Sequence, residues 1–599
     1  MNILPFVFLL LISPILHAQH PLADAIRPMI GSEGEGNVFV GAAIPFGMVK
    51  PGPDCSYHSN SGHTPLNKNS HFLGISHTHV SGTGGGPKYG NILITPSTSG
   101  DVNDTNQILR QSEFARAGYY TTRLQKSNIK VEVTSTHSVA FHNYTFPNPD
   151  SAWIAIDLGH YLGKSDNDSK DDEQQKFVGS ELEIVSPTEV RGYTRVEGGW
   201  NKGAAYTVYF FAEFNTPIID KVLLKNGKVT KASIIVDNNT IAKALLRFRP
   251  GPTSPLSCKF SISFISTGKA QENMQKELPS WDFQSTLELS KNKWEKLLST
   301  ITIQEKDANK RSIFYTSLYH LCLMPVNRTG ENPQWKSSSP YYDDFYAIWD
   351  TYRTSFPLLT ILDESRVRDI VNSLIGTYVH TGYLPDARSG NDNGLTQGGS
   401  NADVVIADAF AKNVKGIDYE LGLKAMLKNA ESDPGSFHRK IGRGGILEYQ
   451  KLGYVPYTHE RSATRTVEYS LCDFAIAQLA KGLSKNDLSA TYIKRSNSWK
   501  NLWRDTLVNG TRGFIWPKEE MGKWVDSTMQ VKFSNKTWKF EKNKDIFTPA
   551  SFGWGWEDVF YEGNSHHYSL HIPHDVKGLI EKSGGAKLFE ARLDTFFSK

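Results

Sequence analysis

The sequence predicts a multidomain β + α protein, with a β-rich half followed by a helical half. Three observations carry this. Up to about residue 275 apolar residues alternate with polar ones, and from about residue 281 they recur every three to four positions. The chain has 599 residues, well beyond one ordinary domain of about 100–200, so each texture has room for its own core.

Taken in order, residues 3–16 form an apolar run too short to cross a bilayer, and Ala18 then offers a small residue before polar Gln19. Residues 1–18 are therefore expected to be a secretory signal peptide, although no basic residue precedes the run. Elsewhere no stretch of about 18 apolar residues occurs, so no stable membrane span is expected. An extracellular destination follows, with the lysosome as the alternative.

Residues 20–275 carry the alternating runs Lys130-Val131-Glu132-Val133-Thr134, Tyr206-Thr207-Val208-Tyr209-Phe210-Phe211 and Lys259-Phe260-Ser261-Ile262-Ser263-Phe264. Period two with β-branched and aromatic residues, broken by Gly, Asn and Asp, reads as the strands of a β-sandwich. Residues 276–300, ending in Trp294-Glu295-Lys296-Leu297-Leu298, read as a helical linker. From 301 to 599 the period is helical, as in Leu362, Val367, Ile370, Leu374 and Tyr378, and the half is expected to be all helix. Lys164–Glu173 reads as a solvated loop.

Lys and Arg total 66 against 62 Asp and Glu, a net +4 with no basic stripe, which argues against a nucleic-acid partner. Four dispersed cysteines, Cys55, Cys258, Cys322 and Cys472, contain no CxxC; one disulfide is conceivable, with its pairing open.

Four segments have the residue types for chemistry. His77-Thr78-His79 precedes a glycine run; on a strand both rings would share a face, fit either for lining a site or for plain hydrogen bonding. Trp349-Asp350-Thr351-Tyr352-Arg353 could stack on a sugar and hold its hydroxyls, or simply form a salt bridge. The Asp386–Asp403 loop, which includes Arg388, is dense in Asn, Asp, Gln and Arg beyond what helix capping at Ser400 or Asn401 needs. Finally, Asp558-Val559-Phe560-Tyr561-Glu562 sets carboxylates among aromatics, where lost hydration would raise a pKa toward that of a general acid.

In this order, and together with Gly198-Gly199-Trp200, Arg461–Tyr469 and Pro573-His574-Asp575, these segments resemble glycoside hydrolase family 92, the calcium-dependent exo-α-mannosidases. The resemblance implies a β-sandwich, a helical linker and an (α/α)6 barrel. It implies inverting release of terminal α-linked mannose from a glycan. That chemistry takes an acid and a base about 6.5–9.5 Å apart. The family's acid is the Glu of a Tyr-x-Glu-Gly-Asn pattern, matched with one residue fewer at Tyr561-Glu562-Gly563-Asn564, which makes Glu562 the expected acid. Trp349, Asp350, Arg353, Arg388, His77 and His79 are the expected substrate-binding residues.

The family also carries a Gly-Asn-Asp-Asp-Cys-Gly-like motif for the base and an Asn-Glu-Pro-like segment near calcium, and neither is read in this chain. The expectation is a barrel incomplete at its C-terminus, with the base and the Ca2+ ligands beyond residue 599. The alternative is a mannose-binding or inactive paralogue lacking the general base.

Overall fold

A computed structural model describes residues 21–598, apart from 34–35, 56–59, 64–70, 85, 102–103, 164–172, 232–233, 438–439, 535–536 and 552–557. The expected signal peptide and nearly all of the 164–173 loop lie outside the described residues.

The N-terminal part is built from two antiparallel sheets of nine and seven strands. The alternating runs form the strands Lys130–Ser135, Gly203–Phe214 and Leu256–Ser263, all in the nine-stranded sheet. Along Gly203–Phe214 the pleat turns Val208, Phe210, Ala212 and Phe214 inward, where all are buried. Phe210 stacks on Phe260 of the adjacent strand with ring centroids 5.0 Å apart. Ile94, Ile154 and Leu246 of the seven-stranded sheet belong to the same core, so each sheet buries one face against the other. The opposite pleat puts Phe211 against Ala270 and Met274 of the helix Thr267–Glu277.

Helix begins at Thr267, ahead of the expected residue 276, because Ser266 accepts a hydrogen bond from the Lys269 N–H and caps the first turn. A second helix, Phe283–Leu298, is capped by Asp282 and fastened to the β-rich part: the Trp294 indole N–H donates to the Ala43 carbonyl at 2.7 Å. Its Glu295 accepts the backbone N–H groups of Leu22 and Ala23 at 3.0 and 2.9 Å, which anchors the chain's early residues to the helices.

The C-terminal part is mainly helical. Glu364–Thr381, Ala402–Ala411, Tyr419–Glu431 and Ser462–Gly482 share a core of residues such as Ile370, Leu374, Ile406, Leu423 and Ile476. The expectation of helix throughout is corrected by two hairpins, Trp503–Val508 with Thr511–Ile515 and Ser527–Ser534 with Thr537–Ile546. Asn509 and Gly510 turn the first at φ 50° and 81°, the left-handed pair that matches strand twist. Among the described residues no helix is long and apolar enough to cross a membrane. All four cysteines are free and buried.

Candidate active site

A cavity of about 460 Å3 opens where the β-rich and helical parts meet. The first contributes the turn Ser81–Gly84 and Trp200; the second contributes Tyr346, Asp350, Gln397, Tyr561 and Glu562. Trp200 and Tyr346 stack with centroids 4.0 Å apart and planes within 19°, joining the two parts at the cavity wall.

Glu562 is presented by a tight turn. Its own φ is 45°, a left-handed conformation uncommon for a residue with a Cβ, and both flanks are pinned. On one side the Tyr561 N–H donates to Thr464 Oγ1 at 2.9 Å, and the Tyr561 carbonyl accepts the Tyr568 hydroxyl at 2.6 Å. The Arg461 guanidinium lies 4.1 Å from the Tyr561 ring and donates to the carbonyl oxygens of Thr396 and Gln397. On the other side Asn564 caps the short helix Ser565–Tyr568 in a reciprocal capping box with His567. The strain is thus held by anchors on either side of an acid that stays open to the cavity.

Asp350 lines the same cavity and is exposed to it. Lost hydration, then the nearby Glu562 charge, raise its pKa to about 6, and Arg353 opposes them. Among the described residues neither Asp350 nor Glu562 spends its carboxylate on a hydrogen bond or ion pair.

Behind the cavity stands a carboxylate in the opposite condition. Glu468, buried on the helix Ser462–Gly482, accepts hydrogen bonds from the Trp349 indole N–H at 2.9 Å, Arg353 Nη2 at 3.0 Å and Asn401 Nδ2 at 3.1 Å. The Tyr352 hydroxyl donates to it as well, and His571 lies 3.1 Å away. Burial alone would push Glu468 upward; His571, Arg353 and the indole N–H outweigh it and hold the carboxyl well below the usual range. Asp386, also buried, accepts the N–H groups of Gln397 and Asn401, and burial lifts it to about 7.

The expected site residues separate into two groups. Glu562 and Asp350 meet at the cavity. Trp349 and Arg353 do not line it: the indole is engaged with Glu468, and the Arg353 guanidinium packs 4.8 Å from that indole while donating to His571. The stacking expected of Trp349 is thus corrected: the aromatic side chains on the cavity are those of Trp200, Phe345, Tyr346, Phe356 and Tyr561.

Arg388 is buried away from the cavity, donating to Asn393, Gln334 and the Asn391 carbonyl, so the loop's polar density mostly serves its own fold. Asp403 likewise pairs with Arg443 at 3.0 Å, and only Gln397 of that loop reaches the cavity.

The histidines are corrected too. The strand Gly74–Ser76 ends before them, so the strand pleat that would put both on one face does not extend to them. His77 stacks on Phe260 at 3.9 Å and bonds to the Ile92 carbonyl and His142; burial drops its pKa to about 3, a neutral core histidine. His79 bonds to the Lys50 carbonyl and to buried Asp54, which also takes His160. Sequence reasoning missed Glu468 as the organiser of the site; no local pattern sets it apart, since the same helix also carries Arg465 and Asp473, both buried.

Among the described residues no three His, Cys, Asp or Glu side chains gather in a way that could hold a metal ion. The two cavity carboxylates by themselves fall short of the six to eight oxygens that calcium takes.

Two family models cover most of the chain: the glycosyl hydrolase family 92 N-terminal domain matches residues 25–263, and the family 92 catalytic domain matches residues 269–599. A protein of Arthroderma benhamiae described as an uncharacterized secreted glycosidase is 28% identical over 616 residues, spanning 95% of this chain and 73% of its own length. Among solved structures, the family GH92 α-mannosidase BT3965 of Bacteroides thetaiotaomicron superposes with a TM-score of 0.83 at 27% identity, covering 97% of this chain and 75% of that one. The family GH92 inverting mannosidase BT2199 of the same organism shares the fold, with a TM-score of 0.82 at 24% identity over 96% of this chain and 74% of that one.

Proposed function

Because the chain belongs to glycosyl hydrolase family 92, and is therefore a glycosidase, we propose that it releases terminal α-linked mannose from glycans with inversion at the anomeric carbon. The observation that carries this reading is the pair of uncommitted carboxylates, Asp350 and Glu562, on one cavity beside Trp200. A related α-mannosidase, BT3965, has been solved with mannoimidazole in complex, which supports mannose as the sugar.

In this reading Glu562 is the general acid. It protonates the glycosidic oxygen as the bond to the anomeric carbon breaks, and the leaving sugar departs as an alcohol. Its anchored turn keeps the carboxyl in place through the reaction, so little ordering is left to do in the transition state. Asp350 accepts hydrogen bonds from sugar hydroxyls, and Trp200 offers an apolar face to the ring's C–H groups. Glu468 holds the Trp349–Arg353 segment so that Asp350, between them in sequence, points into the cavity. Inversion also takes a base that activates water across the ring, and this reading assigns that role to none of these residues.

The helical half is proposed to follow the (α/α)6 barrel plan of the family. Secretion is proposed from the apolar leader and the description of the Arthroderma relative as secreted.

The test is mannose release from α-mannobiose by the purified protein and its Glu562→Gln variant, with anomeric configuration followed by NMR. The β-anomer as first product, and loss of turnover in the variant with ligand binding retained, are expected. Undiminished turnover in Glu562→Gln overturns the acid assignment, and α-mannose as first product overturns inversion.

A further inference from the structure

A second cavity, of about 600 Å3, shares no lining residue with the first. Its walls come from Tyr206 and Tyr209 of the strand Gly203–Phe214, from Gly330 and residues 332–337, and from the turn 390–392. A neighbouring cavity of about 300 Å3 adjoins it, and Gly330, Asn332, Trp335 and Ser337 border both. Together they fall within the size range of pockets for small ligands.

Trp335 stands between the two lobes, half-buried. It is held by stacking on His380 (centroids 4.7 Å, planes within 17°), by edge contact with Tyr341 at 5.6 Å, and by the Arg388 guanidinium 5.6 Å from its centroid. Its neighbour Asn332 is unusual. Asn332 Oδ1 accepts the Gln334 N–H at 2.9 Å, whereas its Nδ2 is buried and finds no hydrogen-bond partner among the described residues. A buried donor left unpaired is costly, and a turn of this side chain toward the lobes it borders would let a ligand oxygen relieve it.

The charge balance narrows the ligand. Among the described residues Lys336 and Asp392 are the only charged side chains on the larger lobe, and Asp392 is occupied by Lys440 at 3.3 Å and the Ala204 N–H at 2.9 Å. On the smaller lobe Asp418 is taken up in capping the helix Tyr419–Glu431. Among the described residues the two lobes hold no cluster of cations for a phosphate or carboxylate. A purely apolar guest would leave the amide of Asn332 unsatisfied. A neutral, polyhydroxylated ring meets both demands, with C–H faces for the aromatic walls and oxygens for the amides.

We propose that the joined cavities around Trp335 form a non-catalytic carbohydrate-binding site, holding a stretch of glycan apart from the residues being cleaved. That the glycan is α-mannan rests on the function proposed above; the site itself does not.

The experiment is affinity electrophoresis of the full chain through gels containing soluble α-mannan, alongside turnover of 4-nitrophenyl α-mannoside, which is too small to reach both sites. Wild-type protein is expected to be retarded. Trp335→Ala is expected to bind the polysaccharide about tenfold more weakly with nitrophenyl mannoside turnover unchanged. Asn332→Asp, which replaces the buried donor with an acceptor at the same size, is expected to act in the same direction without opening a hole, and it carries the test should Trp335→Ala fail to fold. Equal retardation of wild type and the folded variants overturns the proposal, as does wild-type protein that turns over the nitrophenyl mannoside and is not retarded by α-mannan. Retardation lost in the variants, in a protein that does not turn over the nitrophenyl mannoside, upholds this site and overturns the proposed function instead.

Discussion

Glu468 and the cavity pair Asp350 and Glu562 are all carboxylates set among aromatics, and their situations are opposite. Glu468 is buried and held by Trp349, Arg353, Tyr352, Asn401 and His571. Asp350 and Glu562 open onto the cavity with their oxygens uncommitted among the described residues, and the strain at Glu562 is absorbed by neighbours on either side. A group that is to meet substrate has to be left unsatisfied by the fold, and the cost is carried by a second set of groups satisfied in full. The contrast separates carboxylates left open to the cavity from carboxylates that hold the fold.

The contrast breaks most directly at Glu562. Glu562→Gln should lower turnover of an unactivated α-mannoside by about 10²–10⁴-fold while leaving the melting temperature near that of the wild type. A large drop in thermal stability instead would place Glu562 among the structural acids.

The converse variant is Glu468→Ala. It leaves Arg353 and His571 without their buried partner, and removing one member of such a cluster costs about 3–5 kcal/mol. Denaturant unfolding should register this, with turnover falling as the Trp349–Arg353 segment loosens. Full stability would show that the hydrogen bonds around Glu468 are dispensable.

Asp350 sharpens the comparison through pH. Its carboxyl, raised to about 6, is ionised above that value and protonated below it. If the ionised form accepts sugar hydroxyls, kcat/KM falls as the pH drops through about 6. Asp350→Asn should flatten this acid limb, mainly through a higher KM. A fall in kcat of about 10²–10⁴-fold at unchanged KM would instead identify Asp350 as the general base.

The smallest effect is expected at Asn564. Asn564→Ala removes the cap of Ser565–Tyr568, worth about 0.5–2 kcal/mol, and loosens one side of the Glu562 turn. A modest fall in kcat with little change in melting temperature is the expected pattern, read from paired kinetic and thermal measurements. An unaltered kcat would leave Tyr561 and its partners as the sole support of the acid.

Much of the fold was legible from pattern. Alternation at 206–211 and 259–264 marked strands because one face of each sheet must be apolar, and the spacing of Val367, Ile370 and Leu374 marked a helix because one stripe must be. The hairpin at 503–515 was missed although Asn509-Gly510 announces it, since a helical period on both sides drew the reading past it. The site was legible only in part. Asp350 and Glu562 could be picked out, but Trp349, Arg353 and Arg388 have the same residue types as a sugar site and are consumed by internal pairs. His77 and His79 sit too deep among protein partners to reach the cavity.

The sequence by itself determined the order of textures, the family motifs and the acid on its Glu-Gly-Asn turn, because these depend on neighbours within a few positions. Tertiary structure alone decided which polar groups remain uncommitted. Trp200 reaches the cavity from the β-rich part, and Glu468 meets Trp349 across more than a hundred residues of chain. Whether a carboxylate is satisfied depends on donors brought from distant segments, and no local pattern records where those donors arrive.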